Sequence, residues 1–528
     1  MDIEEFRKAG YAAIDRICDY YYSLSSLPVK PSVAPGYLSK HIPPALPQTS
    51  EPFNEILDDY TKLILPGLTH WQHPSFFGFF PTACTFQGII ADLLTSSTSN
   101  PGFNWAVSPA CTELEVLMMD WAAGLLGLHK DFFNSSKKGG GTIQTTASDS
   151  ALTAVVAARS LYARTHPEVP HESLVIYATT QTHSLGLKAG KILGLSVRSI
   201  EVDANDGYAL RGKALRAALD EDLKNGLHPF ILIATVGTTS SGAVDNLPEI
   251  KEPKITPPSG STSTLPGRVL LSPVLNIEKN YTTQRSTKLP HRSAPTFTRQ
   301  WGLVNFDCST LWVRDRTLLT EALDITPPFL RSKEGDSGLV IDYRNWHLSL
   351  GRRFRSLKLW FVFRSYGAEG FRDYIRRCID LNTTFQAKLT ETTLLELVTT
   401  PSLSLSVFRI SPNALPPPAS STTSSSPINS STTSPTNSSP SNEPTLETMN
   451  ELTKSLYSRL SARSDILLTQ TVLNGVFCIR FAVGSERTRV EDINKAVGVM
   501  VEEAEVVIRE WSKNVDLDST LTVNGRMG

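Results

Sequence analysis

The stretch from Gly139 to Arg159, G-G-G-T-I-Q-T-T-A-S-D-S-A-L-T-A-V-V-A-A-R, constrains this chain more than any other. Glycines and a Thr/Ser cluster run directly into an amphipathic helix. Such a junction presents free backbone N–H groups, hydroxyls and the positive helix end to an anion. It predicts a phosphate cup, although the same residue types also begin ordinary helices, so the assignment depends on the surroundings. Downstream, L-V-I-Y-A-T near Ser173, A-G-K-I-L-G-L, V-R-S-I-E-V-D and F-I-L-I-A-T-V-G-T-T alternate apolar strands with a helix. That alternation predicts an α/β domain whose mostly parallel sheet binds ligands beyond its strand C-termini.

With 528 residues the chain can hold more than one domain. A net charge of -1 gives no electrostatic reason to expect nucleic acid or an anionic membrane as partner. Cys18, Cys84, Cys111, Cys308, Cys378 and Cys478 show no C-x-x-C spacing, which argues against a disulfide framework or a zinc site. The N-terminus, M-D-I-E-E-F-R-K-A-G, is acidic and then amphipathic, unlike a secretory leader, and no apolar run reaches membrane-spanning length. The expectation is a cytoplasmic protein.

Ile3 to Leu24 carries Phe6, Ala9, Ala13, Ile14 and Ile17 at helical spacing, and the proline-rich segment after it must run extended. Neither has a local core, so both are expected to dock on another subunit. T-H-W-Q-H-P-S-F-F-G-F-F-P-T-A, after Leu68, is dense in aromatics, which in general are core. F-N-W-A-V-S-P-A-C-T-E-L-E predicts a helix with Ser108 as N-cap, Pro109 in its first turn, Glu113 and Glu115 near its positive end, and a buried face of Leu114, Leu117, Met118, Trp121 and Leu125. Gly351 to Lys358, rich in Arg and Lys, reads by itself as a solvated face or linker. Ser411 to Pro444 is a Ser/Thr/Pro/Asn tract that cannot bury enough apolar surface to fold. G-V-F-C-I-R-F-A reads as a strand and Val490 to Trp511 as a closing helix.

Taken together, these motifs resemble the group II pyridoxal-phosphate decarboxylases, specifically the aromatic-L-amino-acid decarboxylases. The resemblance implies the aspartate-aminotransferase fold (fold type I), pyridoxal 5'-phosphate (PLP) as cofactor, an aromatic amino acid as substrate and a homodimer interlocked by its N-terminal arms. It implies three regions: residues 1–80 as helix and arm, 81–365 as the large PLP-binding domain, and 366–528 as a small α+β domain interrupted by the insertion at 411–444. By the same resemblance, Ala147, Ser148 and Thr239 contact the cofactor and His183 stacks on its ring. Trp71, Phe79, Phe80, Pro81 and Thr82 form the substrate pocket, with Thr82 near the carboxylate. In A-L-D-I-T-P-P-F-L-R, Phe329 stands where the decarboxylases usually carry a Tyr on a mobile loop, whose hydroxyl returns a proton to the substrate. In related plant enzymes a Phe there accompanies aldehyde formation.

One segment departs from the pattern. From Lys251 to Gln300 the chain is rich in Pro, Ser and Thr and then basic, with no sustained period. The family carries its pyridinium-pairing Asp here, in a motif like H-V-D-A-A, and its Schiff-base Lys, in a motif like N-F-H-K-W; neither motif is present. Read from the third base of each codon, Ser259 through Thr282 can encode W-L-H-V-D-A-A-W-A-G-V-A-L-S-C-P-E-Y-R-E-K-L-H. His291 through Arg299 can encode S-F-C-T-N-F-H-K. The missing Asp then spans the codons of Ser263 and Thr264, and the missing Lys those of Thr298 and Arg299. The expectation is a frameshifted or mis-spliced gene model, or a recent pseudogene. The product as written would then be either a decarboxylase deprived of two essential groups or a catalytically dead homologue.

Overall fold

The computed structural model describes residues 1–251, 302–415 and 444–524, together with three two-residue strands between residues 270 and 297. The strands of the first part are β1 (Gly140–Gln144), β2 (Leu174–Thr179), β3 (Ser196–Ile200), β4 (His228–Leu232), β5 (Thr235–Val236), β6 (Leu270–Leu271), β7 (Val274–Leu275), β8 (Thr296–Phe297) and β9 (Ser309–Val313). They hydrogen-bond in the orders β3-β2-β4-β6 and β1-β9-β8-β7-β5. β4 and β5 join the two groups, because Ile233 between them still donates its N–H to the Tyr177 carbonyl at 2.8 Å. Every pairing is parallel except those of β9, which runs against both β1 and β8. β1, β2 and β5 therefore point the same way.

β2 shows why this sheet reads as a continuous apolar run. Alternate side chains face opposite layers. Leu174 and Ile176 pack with Ala151, Val155 and Ala158 of the helix Ala147–Thr165 and with Leu185 and Ala189 of the helix Leu185–Leu193. Val175 and Tyr177 pack with Leu215, Ala218 and Leu219 of the helix Gly212–Lys224. With helices on both faces, both sets must be apolar.

The C-terminal part is an antiparallel sheet of β10 (Leu395–Leu397), β11 (Leu405–Ile410), β12 (Thr469–Leu473) and β13 (Val476–Ala482), in the order β10-β11-β13-β12. The helices Leu446–Ala462 and Val490–Asn524 contribute Leu452, Leu456, Ile493 and Met500 to the core it shares with Phe408, Ile479 and Phe481. Helix Arg355–Thr390 links the two parts and is interrupted at Gly367, whose φ of 61° suits glycine.

Three expectations are corrected. In the helix Pro109–Leu125 the buried residues are Cys111, Thr112, Glu115, Met118, Met119, Ala122 and Ala123, whereas Leu117 and Trp121 are 52% and 49% exposed. The small and flexible side chains face the core because a helix lying over β1 has little room there; Met119 already touches the space above Gly141. Ser108 occupies the N-cap position but makes no capping bond, its hydroxyl going to Asn100 Oδ1. Gly351–Lys358 is no solvated face, since Arg352, Arg355 and Lys358 are all buried. The N-terminal helix Ile3–Ser23 is closed by a capping box of Asp2 and Glu5 and buries none of its residues in this chain. The tract at 411–444 lies almost wholly outside the described residues.

Candidate active site

The anion seat forms at Thr145–Ser148, one strand away from the glycines. A Cβ on Gly139 would collide with the Asp131 carbonyl, and one on Gly141 with Met119 and Trp312. These glycines therefore allow close packing at β1, and the expectation that they contribute N–H groups to the cup is corrected. The helix Ala147–Thr165 begins with a reciprocal cap: Thr146 Oγ1 accepts from Asp149 N at 3.2 Å, and Asp149 Oδ2 accepts from Thr146 N at 3.1 Å. The Asp149 carboxylate also takes the Thr145 hydroxyl. Ala147 and Ser148 follow as the first helical residues, half-buried, and their N–H groups cannot be satisfied within the helix. Among the described residues nothing takes them.

Two further sequence candidates lie at the same sheet edge. His183 follows the C-terminal end of β2, is exposed, and accepts the Leu185 N–H on Nδ1 at 3.3 Å. Thr239 follows β5, half-buried at the tip of a turn in which Gly242 N bonds Thr238 O at 2.8 Å and Thr238 Oγ1 meets Ser241 Oγ at 2.8 Å. β1, β2 and β5 are codirectional, so Thr146–Ser148, His183 and Thr239 share the C-terminal edge, the usual ligand edge of such sheets.

Behind the cup lies a buried charge cluster that sequence reasoning missed. Glu115 Oε1 accepts from Arg352 at 2.6 Å, from Thr142 Oγ1 at 3.0 Å and from Ile143 N at 2.9 Å, and Arg352 reaches Oε2 at 2.7 Å. Glu115 thus ties β1 to the start of the linking helix. Thr142 spends its only proton on Glu115, so His347 Nε2, 2.8 Å away, is the donor to Thr142. Burial, reinforced by Arg352 and Arg355, holds the His347 pKa well below its usual 6.5. Arg355 forks onto Asp307 at 3.2 and 2.8 Å. The available signal was the crowding of Arg352, Arg353, Arg355 and Lys358 within seven consecutive residues, which must find carboxylates if it is buried.

The aromatic segment is fastened to the C-terminal sheet. Phe77 N bonds Leu467 O at 2.9 Å, Ala482 N bonds Phe77 O at 2.9 Å, and the Phe77 ring stacks on Phe481 with centroids 4.2 Å apart. Trp71 lies 5.6 Å from Phe79 in a stacked arrangement. Phe79 is half exposed with a φ of 52°, a conformation that costs a non-glycine residue free energy and marks a held position. Arg480 holds it: this buried side chain donates to Phe79 O at 3.2 Å and Thr469 Oγ1 at 2.8 Å and covers the Phe80 ring at 5.3 Å. Burial lowers the Arg480 pKa to about 10. Pro81 is buried, and half-buried Thr82 receives the Gln72 amide on its carbonyl. Arg480, too, went unnoticed in the sequence.

Phe329 stands apart from both. It is 81% exposed on the turn Pro328–Leu330 and makes no ring contact among the described residues. Its loop is clamped at the base by buried Arg344, which bonds Ile325 O at 3.2 Å, Thr326 Oγ1 at 3.2 Å and Leu330 O at 3.4 Å.

The donor set fits a phosphate-bearing planar cofactor on its phosphate side: two unpaired helix N–H groups, the Ser148 hydroxyl, and an imidazole with an open face. The positions expected for an anchoring Lys and a pyridinium carboxylate lie outside the described residues. The pyridoxal-dependent decarboxylase conserved domain matches residues 35–255 and 284–411. The chain is 37% identical over 500 residues to a rat aromatic-L-amino-acid decarboxylase, covering 92% of this chain and 94% of that protein. It is 35% identical over 519 residues to a phenylacetaldehyde synthase of Arabidopsis thaliana, covering 97% and 98%. Among solved structures, Oryza sativa TDC with PLP and tryptamine superposes with a TM-score of 0.85 at 30% identity, covering 96% of this chain and 99% of that one.

Proposed function

The chain belongs to the pyridoxal-dependent decarboxylases, PLP-dependent carboxy-lyases of fold type I, and from that premise we propose that it acts on an aromatic L-amino acid, releasing CO2 and an amine. The observation that carries this reading is the meeting of Thr146–Ser148, His183 and Thr239 at one sheet edge. PLP, when bound, supplies an electron sink for the electrons left by departing CO2. Ala147 and Ser148 hold its phosphate and Thr239 supplies a hydroxyl. His183 would stack on its ring and exclude water from that face. Trp71, Phe79 and Phe80 hold an aromatic side chain, and Thr82 orients the substrate carboxylate. Three regions, 1–80, 81–365 and 366–528, belong to the same reading. So does a cytoplasmic homodimer, supported by the exposed Ile3, Phe6 and Tyr11 of a helix that buries nothing in its own chain. Among the described residues no helix is long and apolar enough to cross a membrane.

Two other readings each rest on a specific observation. The family match stops at residue 255 and resumes at 284, and neither H-V-D-A-A nor N-F-H-K occurs in the chain as written. This supports a product without turnover, or a frame error in its gene. Sequencing the spliced transcript across the codons for Asp245 to Asp307 tests it. Restored motifs establish an intact enzyme, while an unchanged transcript together with no cofactor absorption band in purified protein supports the dead homologue. Separately, Phe329 has no proton to give, which supports an oxidative outcome in a frame-restored protein. There the amino acid, O2 and water yield aldehyde, CO2, ammonia and hydrogen peroxide. Phe329→Tyr in that protein is expected to raise amine and suppress peroxide; amine and CO2 without peroxide from the unsubstituted enzyme would sink this reading.

A further inference from the structure

A cleft of about 270 Å³ opens where the large part, the linking helix and the C-terminal part meet, and none of the candidate site residues lines it. Phe86 and Gln87 form one wall, Arg377 another, and Glu486, Arg487 and Arg489 a third. Arg377 and Arg489 both donate to the Glu486 carbonyl oxygen, at 2.8 and 2.9 Å, so two guanidinium groups are held side by side despite their like charge. Arg487 lies over the Tyr21 and Phe86 rings at 4.5 and 5.4 Å, which fixes it without neutralising it. Among the described residues no carboxylate pairs with any of the three, and Arg377 Nε is buried without an acceptor. The one acid in the wall, Glu486, is turned onto the Tyr366 hydroxyl at 2.7 Å.

A second feature of the same wall points the same way. Phe86 and Gln87 are the first two residues of the helix Phe86–Thr98, whose N-cap Thr85 takes Gly88 N on its hydroxyl at 3.2 Å. Their N–H groups have no intrahelical partner, and the positive end of a 13-residue helix adds to the three arginines. A site with three guanidiniums, one carboxylate and a helix start favours a compact anion carrying two charges. The planar forks of arginine match tetrahedral oxyanions. We propose that this cleft binds a small dianion of the phosphate class, separately from the phosphate of the cofactor. A ligand there touches the helix of the large part and the loop of the C-terminal part at once, across the break at Gly367.

Cys84, partly buried in the wall, provides a local readout, with exposed Cys18 as internal reference. The full-length chain is titrated with inorganic phosphate at constant ionic strength and labelled with iodoacetamide at alkaline pH, because burial pushes the Cys84 thiol up. Labelling is mapped by peptide mass. Phosphate is expected to slow labelling at Cys84 and leave Cys18 unchanged. The pair Arg377→Gln with Arg489→Gln is expected to weaken that protection about tenfold or more, from the loss of two charge-assisted contacts. Ser148→Ala is expected to leave it intact. Cys84 labelling indifferent to phosphate overturns the proposal, as does protection that survives the double substitution or disappears with Ser148→Ala. If the double variant does not fold, Arg487→Lys, which keeps the charge and loses the fork, must still weaken protection.

Discussion

The cup at Thr145–Ser148 and the aromatic segment at Trp71–Thr82 are built in opposite ways. The cup is closed by four consecutive residues and their successor Asp149, on a helix whose periodicity is its own. The aromatic segment is held by partners some four hundred residues away: Leu467, Thr469, Arg480 and Phe481. Phe79 can sit at a φ of 52° only because Arg480 and Thr469 pin its carbonyl and N–H. Local capping needs few residues to be ordered at once, whereas a long-range clamp exists only after most of the chain has folded. One side of the site should therefore tolerate distant damage, and the other should not.

Substitutions sharpen this contrast, beginning with the most severe. Glu115→Gln leaves Arg352 buried without a charge partner and is expected to cost about 3–5 kcal/mol. Denaturant unfolding would show it, and an unchanged midpoint would mean that the pair is not structural. It should also loosen β1, which Glu115 holds through Thr142 and Ile143. Arg480→Gln removes the grip on Phe79 and is expected to cost about 1.5–3 kcal/mol. In a double-mutant cycle with Phe79→Gly the two losses should be less than additive, because glycine no longer needs holding. Strict additivity would separate Arg480 from the Phe79 backbone. Thr146→Ala deletes the cap and should lower stability by about 1 kcal/mol, leaving the aromatic segment untouched; protection of amide hydrogens in Ala147–Thr165 is the measurement.

The smallest effect depends on pH. His347 is kept neutral when folded, with its pKa below 6.5, while the unfolded chain protonates it near 6.5. Its contribution to stability is complete above that value and is lost as pH falls below it toward the folded pKa. His347→Gln should therefore flatten the acid limb of a stability profile. An acid limb identical in both proteins would assign that limb to other groups.

The strands β2, β3, β4 and β13 and the start of the helix Ala147–Thr165 were legible in the sequence because each depends on a short apolar period or on nearby capping residues. The resemblance drawn from those motifs is matched by the family the chain belongs to. Other features were settled only by tertiary structure. Gly139 and Gly141 had to be glycine to clear Asp131, Met119 and Trp312, which no local rule reveals. Leu117 and Trp121 are left at the surface because the sheet below admits only small or flexible neighbours. Glu115, Arg352 and Arg480 look like ordinary surface charges along the chain. They become structural elements because folding removes them from water, and a charge out of water must either find its partner or destabilise the fold.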